Sequence, residues 1–389
     1  MRFTGSSDQR HAHPAGLVES DRIPRGVVVS YTRSAQDLRS HESVTRKLIA
    51  ERLAALQGYE YAGDYDECST YTAPVYFVPD DTLSLDIAHA LGIRGETDLF
   101  GGVVPFPFIA TKSITHPLSD PGATAPAGWS AEFSQLVRGS VLTGYAAFAR
   151  EDARRAGGRL LQNGPVRVKP ALEVGGRGQI VAADADALDR SLDELDGQDL
   201  AQCGVVVEQN LTDVMTYSVG QVQVGGLLAT YVGTQKLAKD HHDREVYGGS
   251  ALIVVRGDFD ALLQLHVDDS ARRAIEQARI YDDAARRCFP GFFASRRNYD
   301  MVRGVDGTGA VCTGVLEQSW RVGGASGAEI AALEAFRSDT QLHAVHAECT
   351  ESYDDRQTPP AGATVYFRGT DPCVGFILKY TTVASYVDA

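Results

Sequence analysis

The N-terminal part of the chain alternates between strand-like and helix-like segments, and this alternation limits the possible folds more than any other feature. Short β-branched runs lie at Val27–Tyr31 and Val75–Val78, and apolar residues recur at helical spacing over 43–56 and 82–91. Strands that alternate with helices over short connections are typical of a small open α/β domain with parallel strands. Neither strand is followed by a Gly-x-Gly-x-x-Gly turn, so we expect no dinucleotide site in this domain.

The rest of the chain predicts a different kind of architecture. Residues 217–255 are typical of antiparallel strands with a charged loop at 239–245, and a long helix is predicted over 270–288. We interpret the stretch 101–128, which is rich in Pro and Gly, as a connection between domains, and we expect a helix over 130–142 after it. A chain of 389 residues is long enough for two or three domains of about 150 residues each. The combined pattern predicts a mixed α+β and α/β fold.

Charge and composition argue against several classes of function. The chain has 37 Lys and Arg against 51 Asp and Glu, and a net charge of −14 argues against nucleic-acid binding. No apolar run approaches the roughly 18 residues needed to cross a membrane. Residues 1–24 are polar, lack the apolar core of a signal peptide, and predict a flexible tail. The 6 cysteines include no Cys-x-x-Cys pair, which indicates reduced thiols and predicts a cytoplasmic protein.

A lysine at the end of a predicted strand is the first candidate for chemistry. Lys169 ends the strand 166–169, and Gly175, Gly176 and Gly178 follow it in one loop. A buried ammonium needs an anion, and a glycine-rich loop can present backbone N–H groups to a phosphate. The alternative is a solvated lysine before a plain β-hairpin, and the residues alone leave both interpretations open.

Acidic residues at strand ends form the second candidate site. Glu208 ends the strand 205–208, whose polar edge could offer main-chain donors and acceptors to a purine. Asp300 and Glu317 lie on two predicted strands joined by a turn at 306–309, so we expect them to be near each other. Two carboxylates at one place provide the hard oxygen ligands that Mg²⁺ prefers.

The order of these elements resembles the ATP-grasp superfamily, and within it the branch of biotin carboxylases and carboxylate–amine ligases. A strand lysine with a glycine loop is followed by a strand that ends in Glu, by β-structure with basic residues, by a strand with Asp, and by Glu317-x-Ser319-x-Arg321 before two glycines. The resemblance covers about 112–333 and is strongest to a bacterial branch known only as a domain of unknown function. It implies two α+β lobes that grip ATP, preceded by a small α/β domain.

The resemblance also implies a role for each matching residue. The implied nucleotide-binding residues comprise two phosphate-binding lysines, a lid loop, an adenine-binding hinge and one further basic residue: Lys112, Lys169, Gly175, Gly176, Gly178, Glu208, Gln209, Asn210, Leu211 and Lys236. Asp300 and Glu317 match the metal ligands, and Ser319 stands where the family has Asn, so its hydroxyl is a third implied ligand. Arg321 matches the arginine near the reacting group, and Arg321 and Lys169 are the implied catalytic residues.

The activity that the resemblance implies is that of a ligase that depends on ATP and on Mg²⁺ or Mn²⁺. Such an enzyme activates a carboxylate as an acyl phosphate, which an amine or a similar nucleophile then attacks. A small-molecule kinase on the same fold and a nucleotide-binding module without turnover are the two alternatives. The implied partners are ATP, a small-molecule carboxylate and a nucleophile, with a homodimer as a further expectation. The implied boundaries are a tail at 1–24, an α/β domain at 25–110, a first lobe at 111–204 and a second lobe at 205–389.

Overall fold

The computed structural model describes residues 25–33, 39–173 and 178–386. The N-terminal unit consists of three strands and one long helix: β1 (Val27–Tyr31), α1 (His41–Gln57), β2 (Glu60–Asp64) and β3 (Val75–Pro79). Both β2 and β3 pair with β1 in parallel, in the order β2-β1-β3. The predicted small open α/β domain is confirmed, with β2 as a strand that the sequence pattern did not predict.

Helix α1 has favourable residues at both of its ends. The Ser40 hydroxyl accepts a hydrogen bond from the backbone N–H of Ser43, and Gly58 adopts the left-handed conformation with φ of 68° beyond the last turn. The buried face of α1, which includes Ile49 and Leu53, packs in one core with Val28 of β1. Burial of this apolar stripe holds the helix against the sheet.

Three short elements follow: β4 (Leu83–Ser84), α2 (Leu85–Ala90) and β5 (Gly102–Val104). The helix predicted over 82–91 begins only at Leu85, because β4 pairs in parallel with β5. The stretch predicted as a connection contains β5 and two 3₁₀ helices, Pro107–Ala110 and Lys112–Thr115. It is therefore an ordered part of the fold rather than a linker.

The next region forms a four-stranded antiparallel sheet with helices on one face. Its elements are α3 (Ala131–Leu136), β6 (Gly144–Ala147), α4 (Arg150–Leu160), β7 (Val166–Pro170), β8 (Ile180–Ala182), α5 (Ala185–Asp193), α6 (Gly197–Cys203) and β9 (Val205–Gln209). The strand order is β6-β9-β7-β8. Val166 and Val168 of β7 pack with Leu188 of α5. Because side chains alternate along a strand, Arg167 and Lys169 lie on the opposite face.

The C-terminal region is built on an eight-stranded antiparallel sheet. Its elements are β10 (Thr212–Val224), β11 (Leu227–Lys239), β12 (Glu245–Arg256), α7 (Phe259–Leu263), α8 (Asp269–Cys288), β13 (Phe293–Ala294), β14 (Arg296–Val305), β15 (Val311–Ser319), α9 (Ser326–Ser338), β16 (Ala344–Ser352), β17 (Thr364–Asp371) and β18 (Gly375–Ser385). The strand order is β15-β14-β10-β11-β12-β16-β18-β17. Helix α8 packs on one face of this sheet, and α9 and α1 pack on the other.

Strand β13 pairs with β5, so a further small sheet, in the order β13-β5-β4, joins segments that are distant in the sequence. The predicted domain boundaries stay a prediction, and the tail at 1–24 lies outside the described residues. The helix predicted over 130–142 is limited to α3, which ends at Leu136. Among the described helices, none has the length and apolarity that a bilayer span requires.

Candidate active site

Asp300 and Glu317 face each other on the neighbouring strands β14 and β15. From Val305 to Met301 the hairpin pairs in one register, and a β-bulge at Leu316 then shifts the pairing so that Asp300 lies opposite Glu317. In the unshifted register Asp300 would lie opposite Leu316, and Glu317 would project from the other face of the sheet. The bulge is therefore what brings the two carboxylates together.

The Asp300 carboxylate is held by two side-chain amides. Its Oδ1 accepts hydrogen bonds from Gln235 Nε2 at 2.8 Å and from Asn298 Nδ2 at 2.9 Å. Burial and the nearby negative charge of Glu317 raise the pKa of Asp300 to about 6, against the effect of these hydrogen bonds. A carboxylate that is positioned by neutral donors and repelled by a second carboxylate is suited to a cation.

Lys112 connects the four-stranded sheet to this carboxylate pair. Its ammonium lies 3.1 Å from Glu317 Oε2, donates to the carbonyl oxygen of Glu173, and is 3.4 Å from that of Pro170. The side chain is only 4% exposed. The 3₁₀ helix that carries Lys112 is fixed by Gln318, whose Nε2 donates to carbonyl oxygens of the preceding turn.

Lys169, Glu208 and His116 form a second, fully buried cluster. Lys169 Nζ is 2.5 Å from Glu208 Oε1, and His116 Nε2 is 3.0 Å from Glu208 Oε2. Although burial opposes ionisation, the charge of Lys169 and the His116 hydrogen bond lower the pKa of Glu208 to about 2. Gly144 leaves the space for this cluster, because a Cβ there would lie 2.8 Å from the Glu208 Cβ and 2.9 Å from the His116 Cε1.

The predicted adenine hinge, Glu208 to Leu211, already makes several internal contacts. The backbone N–H groups of Gln209 and Asn210 donate to carbonyl oxygens of the protein at 2.9 and 3.0 Å. The Asn210 side chain accepts a hydrogen bond from Arg167, and Leu211 is buried beside Leu316. The adenine-binding role of the four hinge residues stays a prediction.

Lys236 does not join the cluster around Asp300. It forms an ion pair with Glu348 at 2.5 Å, and both side chains are substantially exposed. The preceding residue, Gln235, is the one that contacts Asp300, because neighbouring side chains on a strand project from opposite faces. The nucleotide-binding role of Lys236 stays a prediction.

Arg321 and Ser319 lie at the end of β15 beside the carboxylates. Arg321 leaves the strand and its Nε is 3.4 Å from Asp81 Oδ1 in the N-terminal unit. The Ser319 hydroxyl is 3.3 Å from Nη1 of the buried Arg296. Ser319 pairs across the hairpin with Asn298, on the same face as Asp300 and Glu317. Their catalytic and metal-binding roles stay predictions.

The glycine loop is described only in part. Gly178 adopts a left-handed conformation with φ of 65°, whereas Gly175 and Gly176 lie outside the described residues. Of the residues that contact the site, sequence reasoning missed His116, Asn298 and Gln318. None of them follows a periodic pattern, although Gln318 lies between Glu317 and Ser319 in the motif.

The donor set suits a divalent cation that also binds phosphate oxygens. Within the described ranges no three His, Cys, Asp or Glu side chains are grouped for a metal ion. Asp300 and Glu317 alone supply carboxylate oxygens, and Mg²⁺ commonly takes one or two carboxylates together with phosphates and water. The mutual repulsion of the two carboxylates is the observation that fits such an ion.

Comparisons with known proteins agree on the fold. A family model described as "Protein of unknown function (DUF3182)" matches residues 27–381. A biotin carboxylase–β,γ-ATP complex from Campylobacter jejuni is 12% identical, with a TM-score of 0.54 over 93% of this chain and 88% of the other. N5-carboxyaminoimidazole synthetase from Staphylococcus aureus, complexed with ADP, is 12% identical with a TM-score of 0.50 over 92% and 94%. None of the curated proteins matches the sequence. The structural likeness shows that the chain has the ATP-grasp fold.

Proposed function

We propose that this chain, which belongs to the family described as a protein of unknown function (DUF3182), is an ATP- and Mg²⁺-dependent ligase that joins a carboxylate to an amine or a similar nucleophile. The observation that carries the proposal is that the buried Lys112 links the Asp300–Glu317 pair to the end of the strand that carries the second buried lysine, Lys169. Lys112 contacts Glu317 of the eight-stranded sheet and the carbonyl oxygens of Pro170 and Glu173, which follow Lys169. We call the place where these groups of the two larger sheets meet the cleft. This arrangement suits a nucleoside triphosphate with its divalent cation. A bound Mg²⁺ would be held by Asp300 and Glu317 and would neutralise phosphate charge.

Both lysines are paired with a carboxylate and can also bind a phosphate. Lys169 is paired with Glu208, and Lys112 with Glu317. Because an ammonium has three N–H donors, each lysine can bind an entering phosphate oxygen while it keeps its buried carboxylate partner. The two lysines thereby bind and orient the phosphates, which is the main contribution of a protein to phosphoryl transfer.

The proposed reaction has two balanced steps. A substrate carboxylate oxygen attacks the γ-phosphorus, ADP leaves, and an acyl phosphate forms. The nucleophile then attacks the acyl carbon, loses a proton, and inorganic phosphate leaves. Arg321, with its side chain 30% exposed beside Asp81, is the residue that we assign to the reacting carboxylate.

One observation favours a second candidate, a nucleotide-binding module without turnover. The hydroxyl of Ser319, the third implied metal ligand, is within hydrogen-bond distance of Arg296. A ligand set reduced to two carboxylates would still bind Mg²⁺ with ATP but would position the phosphates less firmly.

Binding and turnover separate these candidates. We expect ATP with excess Mg²⁺ to raise the melting temperature of the full chain, and ATP in EDTA to have a much smaller effect. With hydroxylamine and a panel of carboxylates, a ligase gives ADP, phosphate and a hydroxamate. A kinase gives ADP and a stable phosphorylated product, whereas a module binds Mg-ATP without ADP release. Equal stabilisation by ATP in EDTA would contradict the metal site.

A further inference from the structure

A cavity of about 400 Å³ lies at the outer edge of β15, apart from the lysines and carboxylates of the cleft. Its walls are the loop 141–143, Gln209, the first turn of α8 at 269–273, Arg303 of β14, and 311–313 of β15. None of Lys112, Lys169, Asp300 or Glu317 is part of this lining. We call this space the edge cavity.

The two cations of the edge cavity are arginines with few internal partners. Arg273 donates through Nε to the Thr313 hydroxyl at 3.2 Å, and no ion pair of this side chain occurs in the described ranges. For the side chain of Arg303, which is partly buried, the described part of the chain provides no hydrogen-bond or ion-pair partner. Asp269 is the one carboxylate in the lining. In a chain with a net charge of −14, two arginines thus line one cavity, and neither forms an ion pair with a carboxylate of the described ranges.

The remaining lining determines what kind of anion fits. Hydroxyls of Thr143, Ser270 and Thr313 and the amide of Gln209 provide neutral hydrogen-bonding groups, whereas the side chains of the 141–142 segment are apolar. The volume lies in the range of about 300–1,000 Å³ that is usual for small-molecule sites. Guanidinium groups bind carboxylates and phosphates with two parallel hydrogen bonds. A bare inorganic ion would fill little of this space and would leave the apolar wall without contact.

We propose that the edge cavity binds a small organic anion, a metabolite that carries a carboxylate or a phosphate, with Arg273 and Arg303 on the charged group. The inference does not depend on the ligase activity proposed above. The cavity nevertheless shares strands with the cleft, because Arg303 and Thr313 pair on the same hairpin that carries Asp300 and Glu317. Gln209 directly follows Glu208. A ligand there contacts the backbone that positions both sets of residues.

The test is titration calorimetry on the full chain without nucleotide, at constant ionic strength. The probes are succinate and citrate for carboxylates, and glycerol 3-phosphate and phosphoglycolate for phosphates. We expect at least one probe to bind with a Kd below about 1 mM, and the preferred pair identifies the charged group. Arg303→Met should weaken that binding about 10-fold or more, as loss of a hydrogen bond between charged groups does.

Three further variants keep the result interpretable. Arg273→Met changes an exposed side chain, so it should fold normally and also weaken binding, whereas Arg356→Met, whose partner Asp354 is two residues away, should change nothing. Arg321→Met, a change at a partly exposed side chain of the cleft, should leave binding intact. The proposal is overturned if no probe binds below about 1 mM, if both Arg273→Met and Arg303→Met bind like the parent, or if Arg321→Met abolishes binding and so moves it to the cleft.

Discussion

The change Glu208→Gln removes one charge from the buried cluster of Lys169, Glu208 and His116 and preserves its shape. The carboxylate has a pKa of about 2 in the folded chain against 4.5 in the unfolded chain, because Lys169 and His116 outweigh the cost of burial. That difference corresponds to about 3 kcal/mol of unfolding free energy at neutral pH. Breaking a buried ion pair by removal of one partner is expected to cost about 3–5 kcal/mol, so the two figures agree.

The assay is thermal melting of the parent and the variant at pH 7, with Glu151→Gln as the matched control. Glu151 forms an ion pair of 2.5 Å with Arg154, as short as that of Glu208, but its side chain is 69% exposed. We expect Glu208→Gln to lower the melting temperature by at least about 5 °C. The control loses a surface pair that contributes about 0–1 kcal/mol, so its shift should be much smaller.

The difference in stability between the parent and Glu208→Gln should depend on pH in one direction. Because the folded pKa of Glu208 is lower than the unfolded one, its contribution to the unfolding free energy is complete above pH 4.5 and is lost as the pH falls towards about 2. The difference in melting temperature between parent and variant should therefore become smaller below pH 4.5. In a double-mutant cycle with Lys169→Met, the loss of unfolding free energy in the double variant should be about 2 kcal/mol smaller than the sum of the losses in the two single variants. Equal shifts for the two glutamate variants, or additive effects in the cycle, would refute the reasoning.

Three further predictions concern the site. Glu317→Gln should lower the unfolding free energy by only about 1–2 kcal/mol, because Lys112 keeps its carbonyl contacts. The same change should lower the turnover rate about 10²–10³-fold, and Mg-ATP turnover at the parental rate would disprove the metal assignment. Mn²⁺ affinity without nucleotide, measured by calorimetry, should rise as the pH increases through about 6, because Asp300 must lose its proton to bind the ion, and a flat profile from pH 5 to 7 would contradict this. Gly144→Ala should cost about 2 kcal/mol or more, since its Cβ would overlap Glu208. The matched change Gly158→Ala, with nothing within 4 Å, should instead stabilise helix α4 by about 0.5–1 kcal/mol in chemical unfolding; a similar loss in both would refute the packing argument.

The sequence predicted those parts of the site that depend on local order along the chain. The turn at 306–309 brings two strands together, so the proximity of Asp300 and Glu317 followed from their positions near it. Strand alternation placed Lys169 on one face and its valine neighbours on the other. The ATP-grasp fold was predicted from the order of such segments rather than from any single motif.

Other parts depend on contacts between distant segments and had no local signal. His116 meets Glu208 across 92 positions of sequence, and no spacing within either segment indicates that contact. Strand β2, with the sequence EYAGD, has no apolar run, because as an edge strand it buries little. Gln235 contacts Asp300 and Lys236 pairs with Glu348, because which of two neighbouring side chains faces the site depends on the register of β11 with its partners.

Because of the bulge at Leu316, the order of the two adjacent residues Leu316 and Glu317 decides whether the paired carboxylates form. In a regular strand, neighbours serve opposite faces, so a single dipeptide cannot furnish both an apolar wall and a charged group to one site. Here Leu316 packs towards Leu211 while Glu317 faces Asp300, so both serve the same side. Exchanging the two residues would leave hydropathy, charge and strand propensity unaltered, yet it would put a carboxylate against leucines and a leucine against Asp300. The two sequences would have the same amino-acid composition, and only one of them would have the paired carboxylates.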